Sequence, residues 1–506
     1  MVIADEAVAP ERPTELDPGA EPEPWRPRHL LALGTFAIVY VIAAWRELTA
    51  APGLNHDGQN LGVFALGSRG LRESGPIVSH LGSHLAITDV VYANHPPLIY
   101  WVTALSESLL GVHPWSTRLP TILAGLSLIV LLPRLLRTLG HDRDVAVIAT
   151  IATLGSVMFF VYGAMLDTPM LGLPLAVAAI TEWVRWDRGE ARSSRTLVIL
   201  TVLCCLAGWE AVALCWMAAG VGLFRSRRDR DPVGTRRRGF VLMALAAAGT
   251  TALVGAWIRW SYGGFDDISQ QFLRRSGHGA SNLGLVQAMQ IQSGYLNDVF
   301  GWGLLLVAAI GLVAAGRRRE IRSVVLLIAG VVTLYSLMFW QAATYHDYWH
   351  YWMLLPIAVG LAEVARWATS RFGSAGRLAA ALVAVALVGV TVGTSSVAEQ
   401  SAVTGFDMAS LLDLADRPAD QSTIYTVGFG EPTSWVSYDT GLPVVALQFD
   451  DIASAARAHP SWRVLIYCAS TRRDGGPPPC ESISDPSAHL AGGVMSVPVG
   501  VAAAAT

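Results

Sequence analysis

The stretch from Arg118 to Arg143, RLPTILAGLSLIVLLPRLLRTLGHDR, decides the architecture. Its apolar run, 118–136, comes close to the ~20 residues that a helix needs to cross a bilayer. It closes on an arginine cluster, Arg134 to Arg143. The same pairing recurs along the chain. Apolar runs lie around 29–46, 145–162, 168–184, 196–224, 239–261, 298–316, 322–343, 350–368 and 377–397. Further clusters run from Arg185 to Arg195, Arg225 to Arg238, Arg317 to Arg322 and Arg366 to Arg377, while the other connections hold aromatics, His, Asp and Gly. The excess of positive charge on cytoplasmic loops assigns the arginine clusters to the inside and the remaining connections to the outside.

Composition agrees. Of 506 residues, 53% are hydrophobic and 15% charged, against roughly 25% charged in soluble domains. Mean hydropathy is +0.44. A chain of several soluble domains is excluded, and the net charge of −3 excludes nucleic acid as a partner. All 36 basic residues are arginine.

Two segments need the alternation to place them. The run 97–111 is short and carries Glu107. A crossing there would turn every later cluster outward, so it reads as a helix in or near the interface. The run 196–224 has arginines at both ends and reads as a hairpin turning near Gly208, Trp209 and Glu210. The spacing predicts about eleven transmembrane helices, N-terminus inside and C-terminus outside. Residues 1–28, acidic and Pro-rich, read as a disordered cytoplasmic tail, and 29–397 as the transmembrane domain. Residues 398–506, with strand-like STIYTVGF, PVVALQF and WRVLIYC, read as a small extracytoplasmic α/β domain. There Cys468 and Cys480 are permitted a disulfide, two free thiols being the alternative. Cys204, Cys205 and Cys215 lie in apolar sequence, and no spacing matches a structural metal site.

Polar residues gather at the outer ends of spans, where ionisable groups near a membrane are informative. His56 and Asp57 follow the first span; Asp57 suits a general base or, more simply, a helix N-cap. Tyr92-Ala93-Asn94-His95-Pro96-Pro97 fixes an extended stretch and starts a helix. Asp167, in LDTP, is again a base or a cap. Arg274 and Arg275 stand on an outer loop against the general rule. A guanidinium pair there suits a phosphate, unless Asp266 and Asp267 neutralise it. In Tyr345-His346-Asp347-Tyr348-Trp349-His350, the two histidines fall on one helical face. They suit a divalent metal or hydrogen bonds to phosphate; both stay open.

The order of these clusters resembles the GT-C superfamily, in its protein O-mannosyltransferase and aminoarabinose-transferase branch. The features are an Asp after span one, the double proline closing the first outer loop, Arg118 with Pro120 and Gly125, LDTP, FLRR and YHDYWHYWMLLP. They cover roughly residues 29–370. The resemblance implies a mainly α, polytopic glycosyltransferase of the cytoplasmic membrane. It would move a hexosyl or pentosyl group, with inversion, from a polyprenyl-phosphate donor to a glycan, lipid or protein acceptor at the outer face. It implies Asp57 and Asp167 as catalytic carboxylates, with Asp57 the base. His95, Arg274, Arg275, His346 and His350 would face the donor phosphate, with His56, Tyr92, Tyr345 and Glu210 along the groove. Gly58 departs from the acidic residue that many relatives carry, and Gly208-Trp209-Glu210 replaces a Lys-Gly turn. A transporter or flippase of an amphipathic solute is the alternative, and a scaffold acting through 398–506 is a second one.

Overall fold

A computed structural model describes residues 24–49, 56–88, 90–191, 193–228, 234–279, 283–394, 420–427, 436–437, 441–447, 451–467, 489–491 and 494–505. The expected tail up to residue 23, and both Cys468 and Cys480, lie outside the described residues.

The chain is mostly helical. Helix α1 (Pro27–Thr49) is followed by α2 (His56–Val78), α3 (Leu98–Leu110), α4 (Pro114–Thr138), α5 (Arg143–Leu154), α6 (Val157–Tyr162) and α7 (Thr168–Asp187). Next come α8 (Arg195–Ala207), α9 (Trp209–Arg228), α10 (Thr235–Tyr262) and α11 (Asp266–Arg275). Then follow α12 (Leu285–Phe300), α13 (Trp302–Arg317), α14 (Arg322–Met338) and the long α15 (Leu354–Thr394). Every apolar run of the sequence is therefore a helix or a helix pair. The hairpin 196–224 forms as α8 and α9, turning at Gly208, whose extended backbone ends α8. The runs 350–368 and 377–397 join in α15, bent at Gly373 (φ +57°).

Fewer helices meet the length of a full crossing than the about eleven that spacing predicts. Four are long and apolar enough among the described residues: Pro27–Trp45, Pro114–Thr138, Thr235–Tyr262 and Tyr348–Gly389; α12 and α13, bent by 90°, make a fifth when counted together as one span. Others are cut short by polar or small residues. The run 145–162 breaks at Gly155-Ser156 into α5 and α6. The expected interfacial segment is α3, a 13-residue apolar helix. Its Glu107 is buried, accepting hydrogen bonds from Ser68 Oγ (2.5 Å), Thr117 Oγ1 (2.7 Å) and Arg72 Nε (3.2 Å). A carboxylate withdrawn from water needs such partners.

Ion pairs and hydrogen bonds join arginine clusters that are far apart in sequence. Arg188 donates to Thr138 O at 2.6 Å, and Arg225 pairs with Asp187 at 3.1 Å. Arg318 reaches Leu139 O at 3.5 Å, and Arg377 pairs with Asp144 at 2.5 Å alongside Arg28 at 2.8 Å. All five clusters thus sit at one end of the bundle, as the alternation requires. The helices approach closely where glycines allow it. A Cβ on Gly311 of α13 would lie 2.0 Å from Gly360 O of α15. The large core is lined by α1, α4, α5, α7, α9 and α15; a smaller one, with Leu61, Phe64, Tyr100, Trp257 and Ile258, fastens α2 and α3 to the end of α10.

The three strand-like stretches near the C-terminus form β1 (Ile424–Val427), β2 (Val444–Leu447) and β3 (Arg463–Tyr467). With β4 (His489–Ala491) and β5 (Val494–Pro498) they make one sheet of order β2-β1-β3-β5-β4, parallel on the β1 side and antiparallel around β5. Helices α16 (Ile452–Ala458) and α17 (Val499–Ala505) accompany it. Tyr425, Val464 and Val497 belong to its own small core.

Candidate functional site

The end of the bundle opposite the arginine clusters holds a cavity of about 1170 Å³. Most of its polar lining comes from six separate segments. Gln59 and Asn60 stand in the first turns of α2, Tyr92, Asn94 and His95 on the loop before α3, and Asp167 just before α7. Glu210 stands in the first turn of α9, Arg274 and Arg275 in the last turn of α11, and His346, Tyr348 and Trp349 before α15.

The loop carrying His95 is held from three sides. Tyr100 Oη donates to Tyr92 O (2.6 Å), Trp209 Nε1 to Asn94 O (2.8 Å) and Tyr262 Oη to Asn94 Oδ1 (2.9 Å). Pro97 then caps α3. His95 Nδ1 lies 3.3 Å from Thr168 Oγ1. Its ring lines the cavity yet lies deep among protein atoms. Burial, with the nearby Arg275 guanidinium, pushes its pKa down to about 3. At neutral pH it therefore offers one N–H and one lone pair rather than a charge.

Both readings of Asp167 hold at once. It caps α7, Oδ1 accepting from Thr168 N at 2.6 Å, while Oδ2 accepts from Asn60 Nδ2 at 2.9 Å. Its side chain is 4% exposed. Burial pushes its pKa up to about 6, against the hydrogen bonds from Thr168 and Tyr348 and the charge of Arg275, which pull it down. A carboxyl so placed titrates just below neutrality, the range in which a general base is most useful.

Arg275 is the electrostatic hub. Its charge acts on Tyr92, His95, Asp167 and Glu210 together, and it hydrogen-bonds the Tyr92 hydroxyl. Arg274, more exposed, donates to Gln271 Oε1 at 2.6 Å. Among the described residues no ion pair joins either arginine to Asp266 or Asp267. Those carboxylates sit at the N-terminus of α11, ~12 Å away along its axis, where they complement the helix dipole.

Residues 94–221 match the family model for dolichyl-phosphate-mannose-protein mannosyltransferase. The chain superposes on ArnT from Cupriavidus metallidurans bound to undecaprenyl phosphate, with a TM-score of 0.59 at 15% identity, over 93% of this chain and 97% of that one. It also superposes on the archaeal oligosaccharyltransferase AglB from Archaeoglobus fulgidus, in complex with an inhibitory peptide and a dolichol-phosphate. There the TM-score is 0.56 at 12% identity, over 87% of this chain and 69% of that one. No curated protein matches by sequence.

The fold is that of ArnT and AglB.

Within this ArnT-like fold, Tyr92, His95, Asp167, Glu210, Arg274, Arg275 and His346 all line one cavity. Asp57 and His56 begin α2, two turns of which reach that cavity through Gln59 and Asn60; their side chains lie outside the described residues. The two remaining expectations turn out differently. Tyr345 is 43% exposed, with its hydroxyl accepting from Gln341 Nε2 at 2.9 Å, and it does not line the cavity. His346 and His350 do not share a face, because Asp347–Met353 is a 3-10 helix rather than an α-helix. In that tighter winding residues three apart eclipse, and residues four apart diverge. His346 lines the large cavity and His350 a small one behind it. Among the described residues no cluster of three His, Cys, Asp or Glu side chains has metal-binding geometry.

Sequence reasoning missed Asn60, Asn94, Ser261, Tyr262 and His278 as lining residues. Asn60 and Asn94 adjoin residues already singled out. Tyr262 reads as an ordinary aromatic at a span end, and nothing in its neighbourhood distinguishes it.

Proposed function

We propose that this protein transfers a sugar from a polyprenyl-phosphate donor to an acceptor at the extracytoplasmic face of the cytoplasmic membrane. The observation that carries the reading is the single cavity in which Arg274, Arg275 and His95 meet Asp167 and Glu210. Cations suit a phosphate leaving group; carboxylates suit an acceptor hydroxyl or amine that must lose a proton. The solved relatives named above, bound to undecaprenyl phosphate and dolichol-phosphate, support a lipid-phosphate ligand. The polyprenyl tail would remain in the bilayer beside the apolar helices.

In this reading the acceptor attacks the anomeric carbon directly and the donor phosphate leaves with the bonding electrons. Configuration inverts, and no covalent enzyme intermediate forms. Arg275 stabilises charge that develops on the departing phosphate oxygen, an effect worth several kcal/mol when donors are fixed in advance. The neutral His95 adds an N–H. Asp57, carried over from the resemblance, takes the acceptor proton, and Asp167 orients the acceptor. A second reading, favoured by the upward-shifted pKa of Asp167, makes Asp167 itself the base.

Purified protein in proteoliposomes, given polyprenyl-phosphate sugars, tests both. Asp57→Asn abolishes transfer while donor binding persists if Asp57 is the base. Full activity of Asp57→Asn together with loss in Asp167→Asn assigns the proton to Asp167. A flippase would translocate the lipid without breaking the glycosyl–phosphate bond, so absence of free polyprenyl phosphate among the products overturns the reading.

A further inference from the structure

Beside the large cavity lies a second, much smaller one. Glu210 and Trp349 line both. The inner niche measures about 10 Å³, the room of one water-sized group. Tyr335, Ser336, His350 and Trp352 complete its polar wall. His350 is 3% exposed and neither of its ring nitrogens has a hydrogen-bond partner. The indole N–H groups of Trp349 and Trp352, 9% and 4% exposed, have none either. Tyr335, also in the lining, hydrogen-bonds Glu210.

Buried polar groups almost always have partners, so three without one around a single small space point to a ligand atom. The lining supplies N–H donors and a carboxylate acceptor. One hydroxyl satisfies both, because it donates and accepts at once. The apolar part of the wall, Val331, Val332 and Met353, accommodates a carbon next to that oxygen. A hydroxyl attached directly to a sugar ring cannot enter a lateral niche while the ring stays in the large cavity. A hydroxymethyl group reaches one carbon further.

We propose that this niche binds the exocyclic hydroxymethyl group of the donor sugar, so that the protein is specific for hexosyl over pentosyl donors. The inference rests on the glycosyltransferase reading and names the substrate class of the same site. Glu210 accepts the hydroxyl proton, and His350 or an indole N–H donates to its oxygen.

The test is equilibrium binding to the full-length protein in nanodiscs. The probes are undecaprenyl phosphate and its mannosyl, lyxosyl, glucosyl and xylosyl esters. Lyxose and xylose are mannose and glucose without the hydroxymethyl group. In at least one pair the hexosyl member binds roughly tenfold or more tighter. His350→Leu brings that ratio towards one, and so does the milder Ser336→Ala should the first variant fail to fold. Equal affinities within both pairs, or a ratio unchanged in the folded variants, overturn the proposal and leave the niche to a water molecule. If undecaprenyl phosphate and all four esters fail to bind, the donor reading itself falls, and this inference with it.

Discussion

Replacing Asp167 by Asn tests whether a functional carboxylate is held at the expense of stability. The folded protein raises the Asp167 pKa from 3.8 to about 6. That rise corresponds to about 3 kcal/mol of destabilisation once the group is ionised. Because the folded state holds the proton more tightly than the unfolded chain, this contribution favours folding at low pH. The advantage is lost as pH rises from about 4 through 6. Asparagine carries no charge and caps a helix as well as aspartate does, so the bond from Thr168 N survives. The interaction with Asn60 and Tyr348 weakens, at a cost of about 1 kcal/mol. The net expectation at pH 7.5 is a gain of about 1–2 kcal/mol, or a Tm higher by on the order of 2–4 °C. The difference should vanish or reverse at pH 4.5, and sugar transfer should be lost or severely slowed at every pH. Thermal melting of both proteins in one detergent across that range reads the effect. Groups common to both cancel. A variant that melts lower than the parent at pH 7.5, or a difference independent of pH, refutes the argument that Asp167 is strained by ionisation.

Three further perturbations separate binding from architecture. Arg275→Ala should weaken undecaprenyl phosphate binding by roughly 10- to 100-fold, the worth of a charge-assisted hydrogen bond in a protected site. Arg274→Ala, removing a more exposed group held by Gln271, should weaken it less; titration of the lipid into nanodiscs compares the two. Glu107→Ala leaves Arg72, Ser68 and Thr117 without their shared acceptor and should lower stability by about 3 kcal/mol, seen as a fall in Tm. Gly311→Ala sets a methyl group against the backbone of α15 at Gly360 and should cost about 1–3 kcal/mol, again read by melting, with donor affinity retained in the folded fraction.

What the sequence discloses, and what it hides, follows from the range of the forces involved. Apolar runs and arginine clusters are local signals, and the bundle follows them. Arg188, Arg225, Arg318 and Arg377 meet across helices at one end because all were kept out of the apolar layer. The cavity is legible for a related reason. Asp167 is a polar residue at a span end and Arg275 an arginine on a connection away from the arginine clusters, so both are marked by standing out from their surroundings. Winding is not legible. Whether His346 and His350 share a face depends on a 3-10 segment between Ala342–Thr344 and α15, which no periodicity in so aromatic a stretch reveals. Nor does spacing reveal that the run 145–162 breaks at Gly155-Ser156.

The charge arrangement of the cavity also explains why its members must be read together. Arg275 faces Asp167 and Glu210, and its charge opposes the protonation that burial imposes on each. The same charge discourages protonation of His95. When an anionic phosphate enters beside Arg275, it offsets that charge. The carboxyl of Asp167 then gains basicity, and His95 protonates more readily. Donor binding would thus sharpen the base beside the reacting carbon, while His95, held low chiefly by burial, stays a neutral N–H donor beside the leaving group. Where Asp167 is the base, the pH at which transfer reaches half its maximum should therefore lie above the pH at which the melting difference between the parent protein and Asp167→Asn stops growing, which marks the folded-state pKa of Asp167. The first reports Asp167 with donor bound, the second Asp167 without it. Coincidence of the two, measured in the same detergent, would mean that phosphate does not enter beside Arg275.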